Sequence, residues 1–188
     1  MQTLNLYLKI WLLAVLIGIG ANTYERRGFP PVVEAKDQEI QKIESPSPIP
    51  SPDDPNASKR QSLQRFFQQN DCRFSELTDL FISTADKNNL DWRLLPAIYL
   101  KESSCGKYYV YNNPLGFGIK DDYSLTPEKY RFDSVPEAIE YVGAALAGNN
   151  GERAYKGLNQ DTKKILWKYN GTVNSNYPSQ IISIMDGI

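Results

Sequence analysis

Seven of the twelve prolines fall between residue 28 and about residue 62, most densely in ESPSPIPSPDDPNAS. Proline withholds a backbone donor and fixes φ, so such a stretch builds neither helix nor sheet interior. It also carries few apolar side chains and cannot offset the entropy of ordering itself. An extended, solvated stalk is expected, able to reach about 100 Å at ~3.1 Å per residue. A stalk holds whatever follows it away from whatever precedes it. Any folded core must therefore come from one side, and only the stretch from about Phe66 onward has the apolar content to supply it.

Residues 1–21, MQTLNLYLKIWLLAVLIGIGA, carry Lys9 and then an apolar run from Ile10 to Ala21. The run is short for a membrane span unless it is extended back to Leu4. Gly18, Gly20 and Ala21 are small enough for a signal-peptidase site. The segment is read as an export signal or an uncleaved anchor. The expected organisation is a signal peptide or membrane anchor at 1–21, a Pro-rich disordered stalk at 22–65, and one folded domain at 66–188. The chain is then exported to the cell envelope or beyond, and touches the membrane only if the first segment is retained.

The 188-residue chain contains no histidine. That excludes Ser-His-Asp and Cys-His nucleophiles, His-ligated zinc and the zincin helix. With two cysteines there is no four-thiolate site either, so neither metal nor cofactor is expected. The 21 basic and 22 acidic residues nearly cancel, without the basic excess of a nucleic-acid binder. If the chain performs acid–base chemistry, a carboxylate with a displaced pKa is the candidate.

The domain reads as mainly helical. FSELTDLFISTADKNNL places Phe74, Leu77, Leu80, Phe81 and Ala85 on one helical face. In the next segment, LLPAIYLKESSCGK, Asp91 is the cap and Pro96 is tolerable only in the first turn. SVPEAIEYVGAALAG opens with Ser134 and Glu137 as a capping box. DTKKILWKYNG begins at Asp161 and stops at Asn170-Gly171, and a last helix from Tyr177 packs Ile181, Ile184 or Met185, and Ile188. Between Gly116 and Phe132 the pattern weakens to a short β-hairpin or a loop.

Leu95, Ile98 and Glu102 fall at i, i+3 and i+7, so the Glu102 carboxyl projects from the apolar stripe of its helix. Desolvation there disfavours its charged form and leaves a proton to donate near neutral pH. A Glu at a helix end turned out to solvent, or paired with Lys101 or Lys107, is the plainer alternative. Cys72 and Cys105 form an even pair, which in an exported chain reads as a disulfide. Closing that loop is worth about 3–4 kcal/mol in the chain-entropy treatment. The bridge would tie the turn after Glu102 to the segment before the Phe74 helix.

Four segments in order, ESSCGK, NNPLGFGIK, YRFDSVPEAIEYVGAAL and KYNGTVNSNYPSQI, resemble the lysozyme-like superfamily of peptidoglycan-cleaving enzymes. The nearest branches are the autolysin-type N-acetylglucosaminidases, similar to mannosyl-glycoprotein endo-β-N-acetylglucosaminidases, and the lytic transglycosylases. Glu102, Ser103 and Gly106 match the Glu-Ser-x-x-Gly helix end of the glucosaminidase branch. Asn112, Asn113, Gly116, Phe117, Gly118, Ile119 and Lys120 match its Asn-Asn and Phe-Gly-Ile-Lys element. Tyr169, Asn170 and Gly171 look like the Tyr-Asn-x-Gly region of the transglycosylase branch, one residue shorter.

The resemblance implies a lysozyme-like helical domain with a reduced hairpin or loop lobe. It implies a monomer cleaving the β-1,4-linked N-acetylated glycan strand of peptidoglycan, with Glu102 as general acid. Substrate-binding candidates are Ser103, Asn113, Gly116, Phe117, Tyr169 and Asn170. Ser103 can serve a sugar, the Glu102 rotamer, or its own backbone. Asn113 suits an N-acetyl group or a turn before Pro114, and Phe117 suits a pyranose face or the core. Tyr169 offers a hydroxyl to the scissile bond or a ring to the core. The chain departs from the pattern in three ways. The lobe is cut short, Cys105 replaces a tryptophan, and the Gly-Leu-Met-Gln motif is missing. Asp121 and Asp122 are the candidates for a second carboxylate. The alternative function is a catalytically inactive peptidoglycan-binding module tethered to the envelope.

Overall fold

The computed structural model describes residues 54–188. The expectations for the 1–21 segment and for the stalk up to residue 53 lie outside the described residues. Within them the chain forms six α-helices joined by turns, with no β-strand. They are α1 (Ala57–Gln69), α2 (Thr78–Lys87), α3 (Leu94–Ser103), α4 (Val135–Leu146), α5 (Thr162–Leu166) and α6 (Tyr177–Met185). None of these helices is long and apolar enough to cross a membrane.

Helix α3 is the axis of the domain. Six consecutive residues, Leu94, Leu95, Pro96, Ala97, Ile98 and Tyr99, are buried, so its first part is surrounded on every side. A helix apolar all round is a core helix, not an amphipathic surface one. It packs against α2 and α6, while α2 also packs on α1 and α4. Pro96 is tolerated because it stands in the first turn, where backbone amides have no intrahelical acceptor. Asp91 accepts from the Arg93 amide at 3.0 Å and clamps the Arg93 guanidinium. It thus orders the turn leading into the helix. Phe67, Phe81 and Tyr99 form an aromatic knot where α1, α2 and α3 meet, with ring centroids 5.4–6.0 Å apart. At the crossing of α2 and α4 a Cβ on Gly143 would stand 2.3 Å from the Thr84 methyl carbon, so only glycine allows this approach.

Helix α1 corrects the expected organisation. It starts at Ala57, inside the 22–65 stretch assigned to the stalk, so the folded domain begins before residue 66. Its contribution to the core comes from Leu63, Phe66 and Phe67 alone, at i, i+3 and i+4. The preceding turn is polar and reads as linker, yet Arg60 secures it through ion pairs to Asp54 and Asp79.

The capping predictions for α4 and α5 match the structure. The Glu137 amide donates to Ser134 Oγ, the Glu137 carboxylate reaches back to the Asp133 amide, and the Lys164 amide donates to Asp161. Helix α5 continues into one π-helical turn, Trp167–Gly171, before the chain reverses. Residues 116–132 form a loop with two 3₁₀ turns, Tyr123–Leu125 and Glu128–Tyr130. Side chains take the carbonyls that a hairpin ladder would have used. Arg131 donates to the Thr126 and Ser124 carbonyls, Tyr111 to that of Tyr123, and Asn112 to those of Phe132 and Asp133.

Cys72 and Cys105 are bridged. The double variant Cys72→Ser/Cys105→Ser is expected to lose about 3–4 kcal/mol of unfolding free energy, following the entropy of a 33-residue separation. Urea unfolding of the oxidised protein and the variant measures this, and a loss under 1 kcal/mol would contradict it.

Candidate active site

Glu102 is the penultimate residue of α3, and the way the helix stops determines how its carboxyl is held. Ser104, Cys105 and Gly106 all take positive φ, 49°, 65° and 77°. Ser103, 2% exposed, donates its hydroxyl to the Tyr99 carbonyl at 2.9 Å and accepts from the Gly106 amide at 2.8 Å. The Lys107 and Tyr108 amides close on the Ser103 carbonyl. Of the roles open to Ser103, the structure gives it the bond to its own backbone. The turn is anchored from outside by the bridge to Cys72 and by the Arg73 amide, which donates to the Cys105 carbonyl at 3.0 Å.

The Glu102 carboxyl is half-buried. Burial raises its pKa above the ordinary 4.5, opposed by the Tyr177 hydroxyl and by the charge of Lys101. Tyr177 donates to Glu102 Oε1 at 2.5 Å from the first turn of α6. Its ring is 1% exposed and lies parallel to that of Tyr169, centroids 5.9 Å apart. Burial first, then the neighbouring Glu102 charge, pushes the Tyr177 hydroxyl far above its usual value, so it keeps its proton. Tyr169 donates to the Leu115 carbonyl, which fixes the loop before Gly116 against the tyrosine pair. Gly116, at φ 71°, passes so close to Glu102 that a Cβ there would stand 3.0 Å from Oε2.

The structure brings Glu102, Gly116 and Tyr169 into one neighbourhood, with Tyr177 as the added member. The other candidates are placed elsewhere. Asn113 is 2% exposed and staples its own loop. Its amide nitrogen donates to the Phe117 and Tyr130 carbonyls, and its oxygen accepts from the Phe117 amide. Phe117 is 6% exposed and centres a cluster with Tyr130, Tyr141, Tyr155 and Tyr169. It is a core residue, not an open wall. The Asn170 carbonyl accepts from the Val173 and Asn174 amides and turns the chain toward α6. Asp121 is exposed on the loop. Asp122 accepts from the amide and hydroxyl of Ser124, bonds that hold its carboxyl below the usual range. Among the described residues no three carboxylates or thiols converge as a metal site requires.

Sequence reasoning missed two residues. Tyr177 shares a core stripe with Ile181 and Met185 at i, i+4 and i+8, and a polar tip on such a stripe is the signal that points to a buried partner. Glu152 is the other. Its Oε1 accepts from Lys129 at 2.7 Å, Tyr141 at 2.8 Å and Tyr130 at 3.2 Å. The Lys129 ammonium, foremost, holds this carboxyl below its ordinary value. The cluster clamps the 149–152 turn onto the loop lobe.

A raised pKa is also a statement about stability. In the unfolded chain the Glu102 carboxyl titrates near its ordinary 4.5, and in the folded chain above it. Between those values the folded state binds more protons, so stability falls as pH rises through the window. Glu102→Gln removes this dependence and keeps an acceptor for Tyr177. Its melting temperature relative to the parent is expected to climb from pH 4.5 upward and then level off. A flat difference across pH 4–8, read by scanning calorimetry, would remove the case for a desolvated acid. No protein-family model matches the chain, and neither a curated protein nor a solved structure matches it.

Proposed function

We propose that this chain is a glycosidase of the cell envelope that cleaves the β-1,4-linked N-acetylated glycan strand of peptidoglycan, with Glu102 as general acid on a lysozyme-like helical domain. The observation that carries the reading is the half-buried Glu102 carboxyl, its pKa raised by burial, at the open end of the core helix. A carboxylic acid that keeps its proton near neutral pH can give it to a departing sugar oxygen. The four-segment resemblance supplies the substrate class.

In the proposed reaction Glu102 protonates the bridging oxygen as the C–O bond breaks, and the bond electrons leave with that oxygen. A hydroxyl then attacks the electron-deficient anomeric carbon and passes its proton to the Glu102 carboxylate, which restores the acid. With water as attacker the product is a reducing sugar, and with the muramyl 6-hydroxyl it is an anhydro sugar. A single carboxyl suffices for this cycle, so neither Asp121 nor Asp122 has to act. The engagement of Asp122 with Ser124 favours a second reading, a module that binds the wall without cutting it.

Glu102→Gln in the full-length chain separates the two readings. The parent is expected to release soluble sugars from purified peptidoglycan, with activity falling as pH rises past the Glu102 pKa. The variant is expected to lose at least ~100-fold, the usual scale of a removed acid, while still pelleting with the polymer. Mass spectrometry of the fragments distinguishes reducing from anhydro ends. Equal release by both proteins would refute the acid role, and no release by the parent at any pH from 4 to 8 would favour the binding module.

A further inference from the structure

The two oxygens of Glu102 are not equivalent. Oε1 receives the Tyr177 hydroxyl at 2.5 Å. In a neutral carboxyl the carbonyl oxygen is the better acceptor, so a tyrosine donating to Oε1 favours the acid proton on the other atom. Among the described residues none donates a hydrogen bond to Oε2. Among the described residues no fully buried side-chain oxygen lacks a partner, so Oε2 is not sealed from solvent. Beside it the chain presents Gly116, where a Cβ would stand 3.0 Å from Oε2 and 3.4 Å from Glu102 Cβ. A side chain at residue 116 would press on the carboxyl from this side.

From this asymmetry we infer that Oε2 is the proton-transferring atom, that the substrate's bridging oxygen reaches it across the bare backbone of Gly116, and that Tyr177 is the positioning residue that keeps the proton there. The inference rests on the proposed acid role of Glu102 and deepens it. Tyr177 acts at two stages. Before transfer its hydroxyl bonds Oε1 and favours Oε2 as the oxygen that carries the proton. After transfer the same hydroxyl stabilises the carboxylate, because a donor favours the charged form. Tyr169 keeps this geometry rigid through its parallel ring and its bond to the Leu115 carbonyl, immediately before Gly116.

Three variants of the full-length chain test the inference. Tyr177→Phe keeps the ring and removes the donor. Its kcat is expected to fall at least about 10-fold, part of the usual general-acid contribution, with KM changed less than about 2-fold. The Glu102 pKa, followed by carbon NMR of the labelled carboxyl, is expected to move up, since a donor to the ionised form is gone. A merely structural tyrosine would lower the melting temperature and leave that titration unmoved.

Gly116→Ala fills the approach to Oε2 but also strains a backbone at φ 71°. Gly151→Ala is the control, because Gly151 sits at φ 88° with nothing within 4 Å of the added carbon. Gly151→Ala carries the backbone strain alone and should keep its turnover, while Gly116→Ala, which also presses on Glu102, should lose at least about 10-fold. Equal turnover in the two glycine variants overturns the approach route. An unshifted Glu102 titration in Tyr177→Phe overturns the positioning role. If instead Glu102→Gln stays active, the acid role itself fails, an outcome these variants do not mimic.

Discussion

Helix α3 is wrapped by apolar neighbours along its first six residues, and a helix in that position has few places for a charged group. Burying a carboxylate in its middle would cost several kcal/mol or force it to hold a proton permanently. At the far end the requirement softens. There the chain leaves the core, backbone carbonyls need partners anyway, and water reaches one side. Glu102 stands at that boundary, half-buried and dry enough for its pKa to rise. The rest of the domain can be understood as the apparatus that fixes this boundary. The turn after Ser103 stops the helix, the bridge to Cys72 holds the turn, and α6 brings one hydroxyl across to the carboxyl.

Much of this was legible in the sequence because the signals are local. Ser134 with Glu137, and Asp161, announce helix starts through residues whose side chains can reach backbone amides within one turn. Leu95, Ile98 and Glu102 share a helical face by spacing alone, and that spacing singled out the carboxyl that the fold half-buries. Two cysteines and no other thiol left one pairing. The β-hairpin alternative for 116–132 did not survive because its carbonyls are taken by Asn112, Tyr111 and Arg131, bonds whose partners lie 5 to 21 residues apart. Short-range patterns do not report such pairs.

The individual site residues were harder to read for the same reason. Asn113 and Phe117 have the chemistry of sugar ligands, an amide and a flat ring. Their surroundings use both for other ends, the amide on two carbonyls and the ring on four tyrosines. Tyr177 went unnoticed because its hydroxyl meets Glu102 across 75 residues of chain. The first turns of α1 misled differently. Their ion pairs to Asp54 and Asp79 compensate for a lack of apolar residues, and composition alone could not distinguish that from solvated linker.

The two partly sheltered glutamates of the domain are tuned in opposite directions. Burial lifts Glu102 above its ordinary value, while Lys129 and two tyrosine hydroxyls pull Glu152 below it. On acidification Glu102 therefore loads its proton first, and only at still lower pH does Glu152 release the 149–152 turn from the lobe. Between those two events lies an interval in which Glu102 is protonated and neutral while Glu152 still holds its turn. If Glu102 is the acid proposed above, its working range is bounded above by loss of that proton and below by loosening of the Glu152 latch.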